Sequence, residues 1–275
     1  MKKIISLIFA FLIFFPCALS EDINDHITII EERTGDIQNP VPPKPFKPAH
    51  LDEVGKVTIG QDNRTTVSET GMYPFSAIAY IDVTSGCSHG GWYGSGFLIS
   101  NDLLLTAGHI VYCPVCHAPA QKIVFYFGYV NERNYLACNA GNNWRVFVPR
   151  QVAEGRDYSD CDYAIFQLDE DIGETTGYFS LRYDVPDEEL TGLSFQVAGY
   201  KNGILKHGIG KVFPQSRQYL AHYADMESGN SGCPVYDSNY YVIAINSAEA
   251  EDGSQNYAVR ITGDMYGQIE KYGGK

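Results

Sequence analysis

From residue 57 onward, the chain contains short runs of apolar and β-forming residues separated by Gly, Asn, Asp or Pro. This spacing is typical of an all-β sandwich or barrel, in which each run forms one strand. A helical pattern occurs only near the end, over Gly263–Tyr272, where Asp264 can cap and Met265, Ile269 and Tyr272 share one face. The predicted strand regions are Phe75–Val83, Gly94–Ser100, Lys122–Val130, Arg145–Val152, Tyr163–Leu168, Leu193–Tyr200, Gly210–Phe213, Tyr219–Ala224, Tyr241–Asn246 and Asn256–Ile261.

The first 56 residues follow a different pattern. Residues 1–20 combine a basic start, an apolar run over Ile4–Phe15 and small residues at the end, which is typical of a signal peptide. The apolar run is too short for a membrane anchor. Residues 21–56 are polar and include NPVPPKPFKPAH, in which five of twelve residues are Pro. This composition favours an extended linker, so we expect a pro-segment here, or a disordered leader without a regulatory role.

Charge narrows the possible partners. The 275 residues carry 33 Asp or Glu and 20 Lys or Arg, a net charge of -13. Residues 1–56 hold 8 of the acidic and 6 of the basic residues, so 57–275 keep 25 against 14. Nucleic acids and anionic membranes need clustered basic residues, which argues against both as partners. With 44% hydrophobic residues the chain can bury a core. Because the chain also starts with a predicted signal peptide, we expect a secreted protein, extracellular or periplasmic, and we expect it to be a monomer.

Export also affects how the cysteines are interpreted. Cys17 belongs to the predicted signal peptide, which leaves six cysteines in the exported chain. An even number in an oxidising compartment predicts three disulfides, although the sequence does not choose among the possible pairings. The six are Cys87, Cys113, Cys116, Cys138, Cys161 and Cys233.

Three short segments carry candidate catalytic residues. GSGFLISNDLLLTAGHIVYC (94–113) places His109 directly after a strand that ends in Thr-Ala-Gly. In DYAIFQL (162–168) Asp162 leads an apolar strand, and ESGNSGCPVY (227–236) places Ser231 between glycines. A serine nucleophile needs a base such as His109, and a buried carboxylate such as Asp162 can fix the imidazole. Asp160 is the reserve choice for the carboxylate.

The glycines around the serine suggest a further element of a catalytic site. Gly229 has no side chain, so its N–H and that of Ser231 can converge on one oxygen. Two such donors form an oxyanion hole, in which each contributes roughly 3–4 kcal/mol of transition-state stabilisation in comparable sites. The order His, Asp, Ser on an exported all-β chain makes a chance occurrence of all three segments much less probable than that of any one.

Thr-Ala-Gly-His, Asp-Tyr-Ala-Ile and Gly-Asn-Ser-Gly resemble the three signatures of the trypsin-like serine proteases. The segment VTIGQDNRTTVSETGMYPFSAIAYI (57–81) resembles the mature start of the bacterial glutamyl endopeptidases, the staphylococcal and bacillar branch. The resemblance covers roughly residues 57–270. It implies a chymotrypsin-like fold of two perpendicular six-stranded β-barrels, here 57–170 and 171–275 with the short C-terminal helix, and a catalytic cleft between them.

The implied function is that of a serine endopeptidase that hydrolyses proteins or peptides through an acyl-enzyme, without metal or organic cofactor. Ser231 would attack, His109 would shuttle the proton and Asp162 would orient His109. The alternative is a catalytically inactive member of the same fold that acts as a binding protein or toxin. Labelling by a serine-reactive reagent distinguishes the two.

Activation is expected to differ from that of trypsin-type zymogens. In those proteins a freed amino terminus pairs with an Asp just before the serine, and the neutral Asn230 stands at that position. In the glutamyl branch the mature chain starts with a Val near the specificity pocket, and Val57 matches it. We expect cleavage after Lys56 to release the pro-segment.

The substrate preference stays open in the sequence. The glutamyl branch usually has a His that binds the substrate carboxylate, and Asn246 stands at the matching position. Asp225 lies six residues before Ser231, the offset of the carboxylate that gives trypsin its Lys/Arg preference, but an ordinary turn residue explains it too. Glu249 can line the same region, and the amine of Val57 can supply positive charge.

A competing motif is Cys113-Pro-Val-Cys116-His117, which fits the pattern for c-type haem attachment. A haem protein of this type usually wraps the group in helices, whereas this chain has a β pattern. The same three residues can supply zinc ligands, although an oxidising compartment favours a disulfide. We therefore expect neither haem nor metal.

Overall fold

The computed structural model describes the strand Ile27–Glu31 and residues 62–131, 134–139, 144–156, 160–250 and 253–272. The predicted signal peptide and the predicted cleavage point between Lys56 and Val57 lie outside the described residues. The described chain is built mainly of strands in two sheets, so the all-β prediction is confirmed.

The first sheet has eight strands in the order β1-β8-β9-β5-β4-β3-β6-β7. All neighbours in it are antiparallel. Its edge strand β1 comes from the predicted pro-segment and pairs with β8 in a five-residue register. The bounds are β1 Ile27–Glu31, β3 Ile78–Ser85, β4 Trp92–Leu98, β5 Leu103–Thr106, β6 Ala120–Phe127, β7 Ala137–Asn139, β8 Trp144–Pro149 and β9 Ala164–Leu168.

The second sheet closes on itself. Strands β11 to β16 form a ring of six because β15 pairs with both β14 and β16. Two short strands add to this barrel: β2 pairs with β12, and β10 pairs with β15. The bounds are β2 Thr65–Thr66, β10 Ser180–Leu181, β11 Ser194–Lys201, β12 Ile204–Pro214, β13 Tyr219–His222, β14 Pro234–Tyr236, β15 Tyr241–Glu249 and β16 Asn256–Arg260.

Each sheet has its own apolar core, and a third cluster lies where the two meet. The first core contains Ile81, Phe125 and Phe166, and the second contains Phe195, Val212 and Ile243. The shared cluster joins side chains from both sheets, including Phe97, Phe179, Tyr200, Tyr236 and Ile245. The two units are therefore packed on one another through buried aromatic residues, which fixes the position of the cleft between them.

Four short helices complete the described chain: α1 Arg150–Ala153, α2 Gly173–Thr176, α3 Asp187–Leu190 and α4 Gly263–Tyr272. The predicted C-terminal helix is confirmed with its predicted bounds. Its N-terminal N–H of Met265 is capped by the Thr262 hydroxyl at 3.2 Å, which corrects the expected cap Asp264. Met265 and Ile269 are buried, and Tyr272 stacks on Phe147 of β8. This contact joins the end of the chain to the first sheet.

Every strand region predicted from the sequence contains a strand. The sequence pattern did not reveal β2, β7, β10 and β14, which are two or three residues long, since so few positions show no clear periodicity. It also did not predict the five-residue β1, which lies in the segment expected to be a linker or a disordered leader. Among the described residues, no helix has the length and apolar character needed to cross a membrane.

Candidate active site

The register of β5 and β9 brings His109 and Asp162 together. Thr106, the last residue of β5, is the register partner of Ala164, the first residue of β9. His109 follows β5 in a 3-10 turn over Gly108–Val111, and Asp162 lies two residues before the first residue of β9. The turn passes close to the second strand because Gly108 has no side chain: a Cβ there would lie 2.9 Å from the carbonyl oxygen of Tyr163.

The contact between His109 and Asp162 is bidentate. Asp162 Oδ2 lies 2.7 Å from His109 Nδ1, and Oδ1 accepts the backbone N–H of His109 at 2.8 Å. The Asp162 side chain is 1% exposed, whereas that of His109 is 31% exposed and so remains accessible from the cleft. The carboxylate therefore fixes both the position of the imidazole ring and the tautomer with hydrogen on Nδ1.

Burial and charge act in opposite directions on this pair. Burial disfavours the imidazolium, but the carboxylate of Asp162 outweighs this, so the pKa of His109 lies above its usual value. Burial also disfavours the carboxylate, yet the charge and hydrogen bonds of His109 hold the pKa of Asp162 below its usual value. Asp162 is thus ionised at neutral pH, and His109 is a stronger base than a free imidazole.

Ser247 is a site residue that sequence analysis missed. Its hydroxyl donates a hydrogen bond to Asp162 Oδ2, and its backbone carbonyl accepts the hydroxyl of Ser231 at 3.4 Å. One residue of β15 therefore contacts both the carboxylate and the candidate nucleophile. No local motif marks it, because its two partners are distant in sequence.

Glycines shape the loop that carries Ser231. Gly229 has φ +98°, and a Cβ there would lie 2.2 Å from the ring of Tyr93. Gly232 has φ +84°, and a Cβ there would lie 2.1 Å from the Thr106 hydroxyl. Both positions require glycine for backbone conformation and for space.

The backbone of this loop leaves two donors available. The N–H groups of Asn230, Gly232 and Cys233 donate to the backbone oxygens of Glu227, Asn246 and Asn230. Within the described part of the chain, the N–H groups of Gly229 and Ser231 have no protein acceptor. These are the two donors that sequence analysis assigned to an oxyanion hole.

Ser95 connects this loop to the first sheet. Its hydroxyl donates to the carbonyl oxygen of Gly229 and accepts the N–H of Tyr200, both at 2.8 Å. Its backbone N–H donates to the carbonyl oxygen of Ser231 at 2.9 Å. Ser95 is completely buried, so the loop is held against β4 by hydrogen bonds that water cannot replace.

Asn230 is held by an arginine near the start of the predicted mature chain. Arg64 Nη1 donates to Asn230 Oδ1 at 2.8 Å, and the N–H of Glu227 donates to the same oxygen at 2.7 Å. The Arg64 side chain is 2% exposed and also pairs with Asp62 and Glu227. An arginine therefore satisfies the neutral Asn230, at the position where trypsin-type zymogens have an acid.

The candidate pocket residues are buried and engaged. Asp225 Oδ2 accepts the backbone N–H of Asn63 at 2.9 Å. Asn246 contacts His222 Nε2 through Oδ1 at 3.0 Å, and its Nδ2 donates to the carbonyl oxygen of Asn230 at 3.3 Å. Val57 lies outside the described residues. The hydrogen bond to Asn230 thus places Asn246 beside the loop that carries Ser231.

His222 is a second residue that sequence analysis missed. It is completely buried beneath Asn246, next to the ring of Phe195, and burial lowers its pKa to about 4. Its Nδ1 has no hydrogen-bond partner among the described residues. The imidazole is therefore neutral at physiological pH, and the Asn246–His222 pair brings no positive charge.

Asp160, the reserve choice for the carboxylate, and Glu249, a candidate for the specificity pocket, are less buried than Asp162. Asp160 is exposed, whereas Asp162 contacts His109, so the preferred Asp is the one at the site. Glu249 is half-buried at the end of β15, where it pairs in register with Asn256.

The six cysteines expected to form three disulfides, all of them among the described residues, form no disulfide in the structure. Cys233 explains part of this difference, because it is completely buried in the core of the second barrel. Cys87, Cys113 and Cys116 instead gather around the imidazole of His89. A hydrogen bond from Ser85 is the largest of the contacts that lower the pKa of the Cys87 thiol, to about 6.

His117 does not join this cysteine cluster. Its Nε2 lies 3.0 Å from the carbonyl oxygen of Ala153, and its ring stacks on Tyr112 with centroids 4.5 Å apart. The haem and zinc readings of Cys113, Cys116 and His117 both required the three residues to act together. The hypothesis that His117 acts together with Cys113 and Cys116 is wrong, because the imidazole beside these thiols is that of His89.

The fold and the His–Asp contact define a trypsin-like serine protease. The model of the trypsin-like peptidase domain matches residues 94–245, and the chain belongs to this family. It is therefore a serine endopeptidase, and the predicted chymotrypsin-like fold is confirmed.

The individual relatives have the names of proteases, and one of these names states a metalloprotease. The chain is 27% identical to a glutamyl endopeptidase of Bacillus licheniformis over 232 residues, which is 79% of this chain and 69% of the relative. It is 25% identical over 220 residues to a protein of Bacillus subtilis named extracellular metalloprotease, covering 77% and 68%. The solved structure of a Glu endopeptidase in complex with MPD matches with a TM-score of 0.66 and 27% identity, covering 78% of this chain and 98% of that one.

Proposed function

We propose that this protein is a secreted serine endopeptidase that cleaves peptide bonds through an acyl-enzyme formed on Ser231. The observation that carries the proposal is the contact of the buried Asp162 carboxylate with both His109 Nδ1 and the His109 N–H. With hydrogen fixed on Nδ1, the lone pair of Nε2 is the one that can accept a proton from a serine hydroxyl.

The chemistry follows from these positions. Ser231 Oγ attacks the peptide carbonyl while its proton passes to His109, and the imidazolium is stabilised by Asp162. The N–H groups of Gly229 and Ser231 bind the oxyanion, and His109 then gives the proton to the leaving amine. Water repeats the sequence to release the acyl group. The Ser231 hydroxyl donates to the Ser247 carbonyl, so it would exchange this hydrogen bond for one to His109, since catalytic hydrogen bonds often form fully only with substrate bound.

The protein is made as a precursor in this proposal. Cleavage after Lys56 would leave Val57 six residues before Asn63. Residues from Asp62 to Thr66 are attached to the second barrel through Asn63 N–H, Arg64 and the β2–β12 pairing. The new amino terminus would therefore be anchored close to the nucleophile loop. Amino-terminal sequencing of the secreted product tests this, and a start well away from residue 57 would refute it.

A preference for glutamate before the cleaved bond is the specificity we favour. Two relatives have names that state it, the glutamyl endopeptidase of Bacillus licheniformis and the Glu endopeptidase of the solved structure. Asn246 supplies a neutral amide at the position of the branch's histidine. Positive charge would come from the amine of Val57 once the precursor is processed.

The decisive experiment is covalent labelling of the processed protein with a fluorescent fluorophosphonate. We expect one label on Ser231, loss of labelling in Ser231→Ala, and parallel loss of peptide cleavage. Ser228→Ala is the matched control, because it changes a serine of the same loop outside the triad. Absence of labelling in correctly processed protein would favour an inactive binding protein. Cleavage that survives in Ser231→Ala and is abolished by a chelator would show a metalloprotease instead.

A further inference from the structure

The three thiols and one imidazole near the turn between β3 and β4 have the arrangement of a metal centre. The ligand atoms of Cys87, His89, Cys113 and Cys116 all lie within 4.8 Å of one another. His89 Nδ1 is 3.4 Å from Cys87 Sγ and 3.6 Å from Cys113 Sγ. Tetrahedral zinc, with bonds of about 2.0–2.3 Å, places neighbouring ligand atoms about 3.5–3.8 Å apart. Two of the six edges of the tetrahedron therefore already have the required length.

We propose that these four residues bind one structural Zn²⁺ ion. Three thiolates and one imidazole form a ligand set used by closed zinc sites, and soft sulfur ligands favour zinc over calcium or magnesium. The sequence supplies them as two pairs, Cys-x-His at 87–89 and Cys-x-x-Cys at 113–116. With three thiolates and one neutral imidazole around Zn²⁺, the loaded centre carries a net charge of -1.

The number of thiols favours a metal over a disulfide. A disulfide between any two of the three cysteines would leave the third thiol beside it, next to an imidazole. The metal uses all four groups at once. The surroundings also fit, because the Ser85 hydroxyl lies 2.8 Å from Cys87 Sγ and accepts the Cys87 N–H at 2.8 Å. Such outer contacts orient a ligand before the metal arrives.

The site would join two segments of the first sheet, one of which follows directly after the turn that carries His109. Cys87 and His89 lie in the turn from β3 to β4, and Cys113 follows the 3-10 turn that carries His109. Cys113 also anchors its own loop, since its N–H donates to Ala118 O at 2.7 Å and its carbonyl accepts the His117 N–H at 2.9 Å. Four protein ligands leave no open position for a water molecule, so the ion stabilises the fold and does not perform hydrolysis.

The metal content of the purified protein tests the proposed zinc site directly. The full chain is expressed with its own export signal in zinc-supplemented medium, purified without chelator and analysed by mass spectrometry of metals. We expect one zinc per chain, and alkylation of Cys87, Cys113 and Cys116 under denaturing conditions with chelator but without reductant. Cobalt exchanged into the site should give thiolate-to-metal charge-transfer bands and tetrahedral d–d bands. Less than about 0.1 zinc per chain in purified protein, or a disulfide between two of the three cysteines, would overturn the proposal.

Variants separate this site from the motif in the sequence. His89→Ala and Cys116→Ser should lose zinc. His117 belongs to the Cys-x-x-Cys-His motif but not to the proposed site, so His117→Ala should keep zinc. The opposite result for the two histidines would overturn the proposal. Should a ligand variant misfold, chelator added to the unaltered protein should still lower its Tm by about 5–10 °C and zinc should restore it. Ser231→Ala should retain full zinc, so loss of protease activity and loss of metal are independent results.

Discussion

The guanidinium of Arg64 donates a hydrogen bond to Oδ1 of Asn230, at 2.8 Å, one residue before the candidate nucleophile. Arg64 is buried and pairs with the partly buried Asp62 and Glu227. Its hydrogen bonds lower the pKa of Asp62, and hydrogen bonds from Lys201 and Arg64 together lower the pKa of Glu227. The start of the predicted mature chain is thereby connected to the loop that must hold two N–H groups in position.

Replacing Arg64 should affect both stability and catalysis. In a buried network, removal of one partner leaves charges uncompensated, so Arg64→Ala should cost about 3–5 kcal/mol of unfolding free energy. Loss of the hydrogen bond from Arg64 to Asn230 should also loosen the loop and reduce kcat/KM by at least about tenfold, or 1.4 kcal/mol. Urea unfolding in the Ser231→Ala background avoids self-digestion, and peptide hydrolysis measures the second effect.

The control for this prediction is Arg150→Ala. Arg150 pairs with Glu154 at the surface, where both side chains are more than a third exposed, so its loss should cost less than about 1 kcal/mol. Equal effects of the two substitutions would contradict the role given to the buried contact.

The pH dependence of hydrolysis should report the His109–Asp162 pair. His109 must be neutral to accept the serine proton, and its pKa is raised by Asp162. We therefore expect kcat/KM to fall tenfold per pH unit on the acid side, with a midpoint above about 6.5. Asp162→Asn should lower kcat by roughly 10⁴-fold and move the remaining acid limb to lower pH, because the negative charge is gone. A flat profile down to pH 4 would refute the assignment of His109 as the base.

The three candidate triad residues could be found from sequence because each stands in a short local motif. His109 follows Thr-Ala-Gly, Asp162 leads an apolar strand, and Ser231 lies between glycines. Their partners could not be found in this way. Ser247 and Ser95 are ordinary serines in strands, and they become site residues only because the fold brings them to positions 85 and 134 residues away.

The cysteines likewise show that a local motif does not identify partners that are distant in sequence. The Cys-x-x-Cys-His motif suggested His117 as a partner, since it is adjacent in sequence. The backbone at His117 has φ +58°, and its ring is directed to Ala153 and Tyr112. His89 reaches the thiols from a different turn, 24 residues before Cys113, and no pattern in the sequence joins the two.

Buried His222 should make stability depend on pH. Its pKa is about 4 in the folded protein and about 6.5 in the unfolded chain, so the unfolded state binds the proton first as pH falls. Stability should therefore be complete above about pH 6.5, decline between about pH 6.5 and 4, and lose about 2–3 kcal/mol by pH 4.5. His222→Gln keeps a donor for Asn246 but cannot titrate. Urea unfolding at pH 7 and pH 4.5 in the Ser231→Ala background measures this effect. The loss of unfolding free energy between the two pH values should be about 2–3 kcal/mol smaller in His222→Gln, and an equal loss would contradict the prediction.

The neutral Asn246 predicts weak discrimination by charge. A hydrogen bond to a charged group is worth about 1.5–3 kcal/mol and a neutral one about 0.5–1.5, so an amide separates Glu from Gln by only about 1 kcal/mol. The oxygen of Asn246 accepts from His222, and one amide hydrogen is donated to the Asn230 carbonyl, which leaves the second amide hydrogen as the group for the substrate. For peptides that differ only in the residue before the cut, we expect Asn246 by itself to favour Glu over Gln by less than about tenfold in kcat/KM, so a larger ratio in the processed protein would come from the amine of Val57. Asp225→Asn should leave the ratio of Lys to Glu cleavage nearly unchanged, because Asp225 accepts the N–H of Asn63. A strong Lys preference that disappears in Asp225→Asn would show instead that Asp225 selects the substrate.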